Sequence, residues 1–476
     1  MKMILSYSLF LLAIASQYAC KKDLNALPPQ AKVEGNVVVD QKSAEVAMNG
    51  AYARFANVTV ILSANSTGWS LSHEILPGIL AGWMQPAFST SNEQNNITPP
   101  NGSAATVFWG PNYSILNAAN GVIEGVDALP DSKFTGARKT EILGEARFLR
   151  AYAHFNLLKY YSVWNNLNSP HGVLLRKGSL KLSNAAQARS TVKESYEFIL
   201  QDLDFAINNA ADVRPNYYAN KTAAKALKMR VLMQRGQASD YSIIVTLANE
   251  IIGNNNYVLE SSLRDLMQVK GLTSREVILG VTPFPTQVGR RAQYEFVQSS
   301  TYLSTPNFRK LLTNDPRSTW MLTKATTSTS ARIRDSIYMS KYFGPKVEDV
   351  YVLRMTEVYL MKAEALMRSG GSIIEAKTLL KNVMSKAGVT DFTAIDNANT
   401  TADMLVQLYY EYSRNLVAED SIEWMALLRL PLSTITQLRP TVTKPEQLYL
   451  PIPFAEFQLN PAIGEQNPGY PKQLNN

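Results

Sequence analysis

Two pairs of carboxylates stand at helical spacing in this 476-residue chain: Glu357 with Glu364, seven apart on one face, and Glu141 with Glu145, four apart on another. Such pairs could carry general acid–base work, and glycoside chemistry places two carboxyl groups about one bond. Inside helical repeats the same pairs more often cap a neighbouring helix or meet a guanidinium, here Arg147, Arg150 or Arg354. The pairing role is the preferred reading. His73-Glu74 is followed by Ile-Leu-Pro, so the second histidine of a zinc-protease helix is missing. Phosphate-loop, dinucleotide-glycine and Gly-x-Ser-x-Gly signatures do not occur. His73, His154 and His171 are the only histidines and offer little for a metal centre. No catalytic residue, cofactor or metal is expected from these motifs.

The single cysteine excludes an internal disulfide framework and stands directly after Ala19. Lys2 supplies a charged start, and residues 4–16 form an apolar run of 13. A bilayer span needs about 20 such residues, so the run reads as a secretory signal peptide. Gln17-Tyr18-Ala19 forms a loose lipobox ahead of Cys20. The expectation is removal of 1–19 and lipid attachment at Cys20; the plainer alternative is a chance thiol in a leader. Each buried CH₂ contributes about 0.8 kcal/mol, and one acyl chain alone binds only marginally. The two or three chains of a bacterial lipoprotein would hold it on its membrane without help from Lys21-Lys22. Residues 20–40, with Pro28-Pro29, read as a stiff tether.

The body that must position any site runs over 41–476. Hydrophobic residues make up 46% and charged residues 18%, which excludes wholesale disorder. The formal net charge of +8 comes without a run of five basic residues, so nucleic acid is not an expected partner. Apolar periodicity predicts helices over 42–57, 112–127, 139–162, 191–210, 221–235, 240–253, 350–369 and 373–387. Ala146, Leu149, Ala153, Leu157 and Tyr160 mark one buried face; Val352, Met355, Tyr359, Ala363 and Leu366 mark another. Repeated helix–turn–helix units with Ala and Tyr inside predict a mainly all-α fold. Its tetratricopeptide-like helix pairs form one scaffold with long irregular, partly β insertions.

The insertions are 60–110, rich in Ser, Asn, Gly and Pro, and 256–345, which mixes short β-prone pieces with Pro and Gly. Long irregular segments on a rigid scaffold are where binding sites reside, so 60–110 and 280–345 are expected to supply one. Trp109, Trp164 and Trp424 belong with the core. Trp69 and Trp83 lie in the first insertion, where each could stack on a sugar face or plug a loop onto the scaffold. Trp320, directly after Asp315-Pro316-Arg317 and two residues, divides between packing and ligand contact. Asn92, Asn95 and Asn96 offer amide donors and acceptors, against the plainer reading of a solvated loop. Tyr294 and Phe296 are comparable candidates in the second insertion.

Several of these segments also carry a family pattern. GEARFLRAYAHFNLLKYY (144–161), WGPNYSILNAANGVIE (109–124), NDPRSTW (314–320), VYVLRMTEVYLMKAEALMRSG (350–370) and LYLPIPFAEFQLNPAIGEQNPGY (448–470) occur in family order. The chain thereby resembles the SusD/RagB family of Bacteroidetes outer-membrane nutrient-binding lipoproteins. One segment departs: 411–429 keeps Glu411, Arg414, Glu419, Trp424 and Arg429, but has Ile422-Glu423 where an Arg falls and Ala426 near the expected Asp. That puts the local ion-pair network in question, though not the fold.

The resemblance implies a single body whose N-terminal helical-repeat part is 41–255 and whose C-terminal part is 256–476. It implies a lipid-anchored protein at the outer face of the outer membrane, with a SusC-like TonB-dependent barrel as partner. The ligand would be an oligosaccharide, or in some members a peptide, trapped by a hinged lid and not chemically changed. A helical-repeat scaffold that binds no small ligand is the remaining alternative.

Overall fold

The computed structural model describes residues 37–56, 69–283, 287, 290, 302–326 and 333–472. Cys20, Tyr294, Phe296, the leader 1–19 and most of the tether 20–40 lie outside the described residues.

The main helices are α1 (Gln41–Phe55), α2 (Leu76–Leu80), α3 (Trp109–Asp127), α4 (Arg138–Tyr161), α5 (Val192–Asn209), α6 (Lys221–Arg235) and α7 (Ala238–Ile252). They are followed by α8 (Met355–Arg368), α9 (Ile373–Lys386), α10 (Thr401–Leu416), α11 (Ile422–Leu428) and α12 (Phe454–Leu459). Their starts are written in the sequence. Asp40, Thr191, Asn220, Ser372 and Thr400 each accept a backbone N–H from the first turn of α1, α5, α6, α9 and α10. Gly236, at φ +66°, ends α6 in the left-handed conformation that glycine adopts without strain.

The helices pack as an array of neighbours: α3 on α4, α4 on α5, α5 on α6, α6 on α7, α7 on α8, then α8 on α9 and α10. This is the tetratricopeptide-like layering expected from periodicity. In α4 every residue from Ile142 to Tyr161 except Arg147 is buried. A helix enclosed on all sides is the centre of a body rather than its surface. One apolar cluster runs from Ala44 to Ile463; a small satellite holds Leu303, Ala325, Ile333 and Tyr338.

One predicted element is different. The helix expected over 350–369 is borne out from Met355 to Arg368, but its first five residues form a strand, β6 (Val350–Arg354), running directly into α8. Val-Tyr-Val-Leu is an apolar run with β-branched and aromatic residues, which suits a strand buried on both faces as well as a helix. Tertiary pairing decides it: β2 (Val277–Val281) lies antiparallel to β6, with Val281 opposite Val350 and Gly280 opposite Tyr351. Val352 therefore belongs to the strand. Two further antiparallel pairs complete the β content of the described residues. β1 (Met84–Pro86) pairs with β3 (Tyr302–Ser304), and β4 (Leu322–Lys324) with β5 (Ile337–Met339).

Gly144 lets α4 touch the chain after α5. A Cβ there would lie 2.7 Å from the Ala210 backbone nitrogen and 2.9 Å from its Cα. Alanine would gain at most about 1 kcal/mol of helix propensity, whereas overpacking against backbone costs about 1–3 kcal/mol. Gly144→Ala is therefore expected to lower stability, read as a lower midpoint in urea unfolding of the purified protein.

Candidate ligand-binding cleft

The two insertions meet. Antiparallel pairing sets Met84 opposite Ser304, Gln85 opposite Leu303 and Pro86 opposite Tyr302. The Thr305 backbone N–H donates to Trp83 O at 3.0 Å, and its hydroxyl donates to Gly82 O at 2.7 Å. Beside this joint opens a cleft of about 360 Å³. Its floor is Ile75, Leu76, Ile79, Ala104 and Val107; its rim carries Leu71, Phe88, Tyr302, Ser89, Ser103 and Glu93. Phe88 is 37% exposed and Leu71 43%. Burial, and after it the nearby Glu93 carboxylate, raises the Tyr302 phenol above its ordinary pKa. A mostly apolar concavity with a few convergent polar groups is the usual make-up of a small-molecule site. Half-exposed rings can stack on the apolar face of a sugar, and Ser and Glu oxygens can meet its hydroxyls.

The floor is fixed from beneath by buried charge. A π-helical turn, Ser70–Ile75, leads into α2. His73 Nδ1 lies 2.8 Å from Asp420 Oδ1, and Ser421 N–H donates to His73 O at 2.9 Å. Burial keeps the imidazole below its ordinary pKa, so the ring is neutral and donates through Nδ1–H. Tyr152 in α4 donates to the same Asp420 oxygen at 2.9 Å. Arg230 in α6 reaches Asp420 Oδ2 at 2.5 Å and forks onto Glu357 in α8 at 2.7 and 2.6 Å. Arg354 closes on Glu419 at 2.6 and 2.9 Å, and Lys341 also meets Glu419. Glu74 pairs with Arg290 of the second insertion at 2.9 Å.

The carboxylate pairs of the sequence are thus spent on guanidiniums. Glu357 takes Arg230, Glu364 takes Arg429 and Arg368, and Glu141 and Glu145 take Arg138. None of these is Arg147, Arg150 or Arg354. The ion-pair network around 411–429 is also intact. Its cations come from distant elements: Arg317 for Glu411, Lys341 and Arg354 for Glu419, and Arg230 for Asp420. Glu423 itself pairs with no cation among the described residues: its Oε1 accepts the Ala418 N–H at 3.1 Å and its Oε2 is buried without a hydrogen-bond partner. Among the described residues no group of three or more His, Cys, Asp or Glu could hold a metal ion.

Three of the expected ligand contacts are corrected by burial. Trp69 is fully buried and stacks on His73 at 4.0 Å. Trp83 is buried, with its indole N–H donated to Ser413 Oγ at 3.2 Å. Asn96 is buried too: its amide donates to Leu80 O at 3.0 Å and accepts from Thr441 at 2.6 Å. Each is used by the scaffold because a loop lying across a core needs apolar plugs and amide ties. Asn92 and Asn95 are exposed on the short turn that carries Glu93, without lining the cleft. Trp320 is half-buried, packs on the main core and does not line it either. Trp109, Trp164 and Trp424 are buried as expected. Phe88, Tyr302 and Leu71 were not singled out from sequence. The available signal was a lone aromatic flanked by small polar residues, as in Phe88-Ser89-Thr90 and Ser300-Thr301-Tyr302.

Comparison with known proteins fits this architecture. A family model described as starch-binding associating with the outer membrane matches residues 53–233, and the SusD family model matches 290–430. Together they cover more than half of the chain. The chain belongs to the SusD/RagB family. A SusD-like protein of Bacteroides ovatus is 21% identical over 401 residues, which is 73% of this chain and 69% of the relative. A SusD-like protein of Formosa agariphila is 24% identical over 81% of this chain and 84% of its own length. Among solved structures, a SusD superfamily protein from Parabacteroides distasonis superposes with a TM-score of 0.75 at 19% identity, covering 90% of this chain and 99% of that one. A laminarin-binding SusD-like protein superposes with a TM-score of 0.71 at 20% identity, covering 90% of this chain and all of that one. At these identities the likeness establishes the shared fold. Among the described residues no helix is long and apolar enough to cross a membrane.

The charge network makes two predictions. Replacing Arg230 by Met strands Glu357 and Asp420 in the core and is expected to cost about 3–5 kcal/mol, measured by chemical denaturation. Glu423 is fully buried and its carboxyl is pushed from 4.5 up to about 8 by desolvation. Between those values the folded state holds a proton that the unfolded chain releases, so rising pH favours unfolding at this group. Glu423→Gln should match the parent below pH 4.5 and become progressively more stable than it towards pH 8. Denaturation midpoints at both ends of the window check the sign.

Proposed function

We propose that the protein is a lipid-anchored, cell-surface binding protein that captures an oligosaccharide in the cleft between its two insertions. It then delivers the sugar, as a lid, to a SusC-like TonB-dependent barrel. The supporting observation is the joint itself: the two insertions on the family scaffold come together around one open cleft with exposed aromatic rims. The outer-membrane description of the family model and the laminarin-binding relative support the location and the ligand class. Cys20 carries the lipid, and 20–40 tethers the body.

Binding here proceeds without bond breaking. Among the described residues Glu93 is the one carboxylate lining the cleft, while glycoside hydrolysis uses two. A delivery protein must also release its cargo, which sets open and closed states only a few kcal/mol apart so that ligand can bias them. Modest affinity from a few stacking and hydroxyl contacts suits that task.

Calorimetric titration with laminarin oligosaccharides and with short peptides tests the reading. Sugar binding weakened about five- to tenfold by Phe88→Ala or Tyr302→Ala is expected, the loss of roughly 1 kcal/mol of ring contact. Heat from peptides alone would transfer the lid role to peptide cargo. Sugar binding indifferent to both substitutions would remove the cleft from the mechanism.

A further inference from the structure

A second pocket, of about 410 Å³, opens where the α6–α7 turn meets the ends of α8 and α11. Arg235, Arg368 and Arg429 line it, and no Asp or Glu does. Trp164, Tyr241 and Leu430 give it an apolar wall. The aromatic polar atoms are already used: Trp164 donates to Leu448 O at 3.2 Å and Tyr241 to Gly236 O at 3.3 Å. The amide of Gln234 is not. Gln234 is 3% exposed and lines the pocket, and its Nε2 has no hydrogen-bond partner.

The three guanidiniums are only partly spent. Arg235 holds Asp240 through Nε and Nη2. Arg368 holds Glu364 through Nε and Arg429 O through Nη2. Arg429 holds Glu364 through Nε and Nη2. In each case the Nη1 group has no hydrogen-bond partner among the described residues. Asp240 and Glu364 offset two of the three positive charges, so the wall keeps one. Gln234 Nε2 is buried without an acceptor, which is unfavourable, and together with the positive charge that the wall retains, it calls for an acceptor-only group with a single negative charge.

We propose that this pocket is a second binding site, distinct from the cleft, that takes a carboxylate-bearing ligand. Its guanidinium N–H groups and the Gln234 amide grip the carboxylate, and the Trp164–Leu430 wall packs against the ligand's organic body. A carboxylate matches both the charge and the donor fork, whereas a neutral sugar hydroxyl supplies no charge to meet the guanidiniums.

The test is calorimetric titration of the full chain with trigalacturonate and its methyl ester, and with acetyl-trialanine and its amide. Binding of either acid with at least about tenfold preference over its neutral form, the scale of one charge-assisted hydrogen bond, supports the proposal. Which acid binds identifies the source of the carboxylate as uronic sugar or peptide end. Gln234→Met removes only an unpartnered amide, so it should preserve the unfolding midpoint and weaken the acid about tenfold. Arg368→Gln should weaken it similarly. Failure of both acids to bind, equal binding of the neutral forms, or an acid lost with Phe88→Ala but kept with Gln234→Met would overturn the site. Failure of the acids to bind leaves neutral-sugar binding in the cleft untouched, and equal binding of the ester or loss with Phe88→Ala would point to the cleft, so the two readings fail separately.

Discussion

Glu419 and Asp420 are neighbours in the chain, both are buried, and each faces a different guanidinium. Withdrawing a charge from water costs several kcal/mol even after relaxation, and only short, well-directed partners offset it. Here the partners come from everywhere: α6 through Arg230, which also holds Glu357 of α8, α4 through Tyr152, β6 through Arg354, and the α2 approach through His73. The backbone pays as well, since Ala418, Asp420 and Ser421 all have positive φ, at 59°, 45° and 70°. Non-glycine residues hold that conformation only where surrounding contacts over-determine it. The turn is therefore a consequence of assembly, because no isolated segment would adopt it, and every element that touches it is set relative to the others.

That constraint reaches the cleft within a few residues. His73 is tied by its ring and its carbonyl, and Ile75, Leu76 and Ile79 follow directly as the floor. Arg290 clamps Glu74 from the other insertion, and the β1–β3 pairing repeats the join a short way along. The floor is rigid because it shares the scaffold's charge network. The rim, with Phe88 and Leu71 well exposed, has few such ties. A preformed floor spares a ligand the cost of ordering it, while a sparse rim limits what the contact is worth. Both properties suit capture followed by release.

How much of this could be read from the sequence depended on the kind of signal. Long amphipathic segments are legible almost to the residue, as for α6 at 221–235 and for α9, expected over 373–387 and found at 373–386, because period and caps agree there. The Val350–Arg354 run was not, since a fully buried strand has no alternation and its partner, β2, lies some seventy residues upstream. Stretch 69–80 reads as irregular from the Ser and Asn around it. Yet Trp69, His73, Leu76 and Leu80 repeat at helical spacing, and all four are buried on one structure. Which side chains would face the cleft where the two insertions meet was not readable. Ion partners were the least legible feature. Glu357 and Arg230 are 127 residues apart, and local spacing carries no information about such a meeting.

The inward turn of Trp69 and Trp83 follows from the energy of burial. A tryptophan offers about 150–250 Å² of ring surface, which at about 25 cal/mol/Å² is worth about 4–6 kcal/mol when removed from water. A fold with loops lying across its core gains most by turning those rings inward, and Trp69 and Trp83 are where the first insertion is fastened. A ring kept for a passing ligand must instead remain partly wet, and leaving a smaller ring half-exposed forfeits less. Phe88 and Tyr302 meet that condition in the cleft. The same reasoning applies at the second pocket, where Trp164 is buried with its N–H already spent and forms wall rather than contact. What remains for recognition there is the buried Gln234 amide and the unspent guanidinium N–H groups, rather than the largest aromatic.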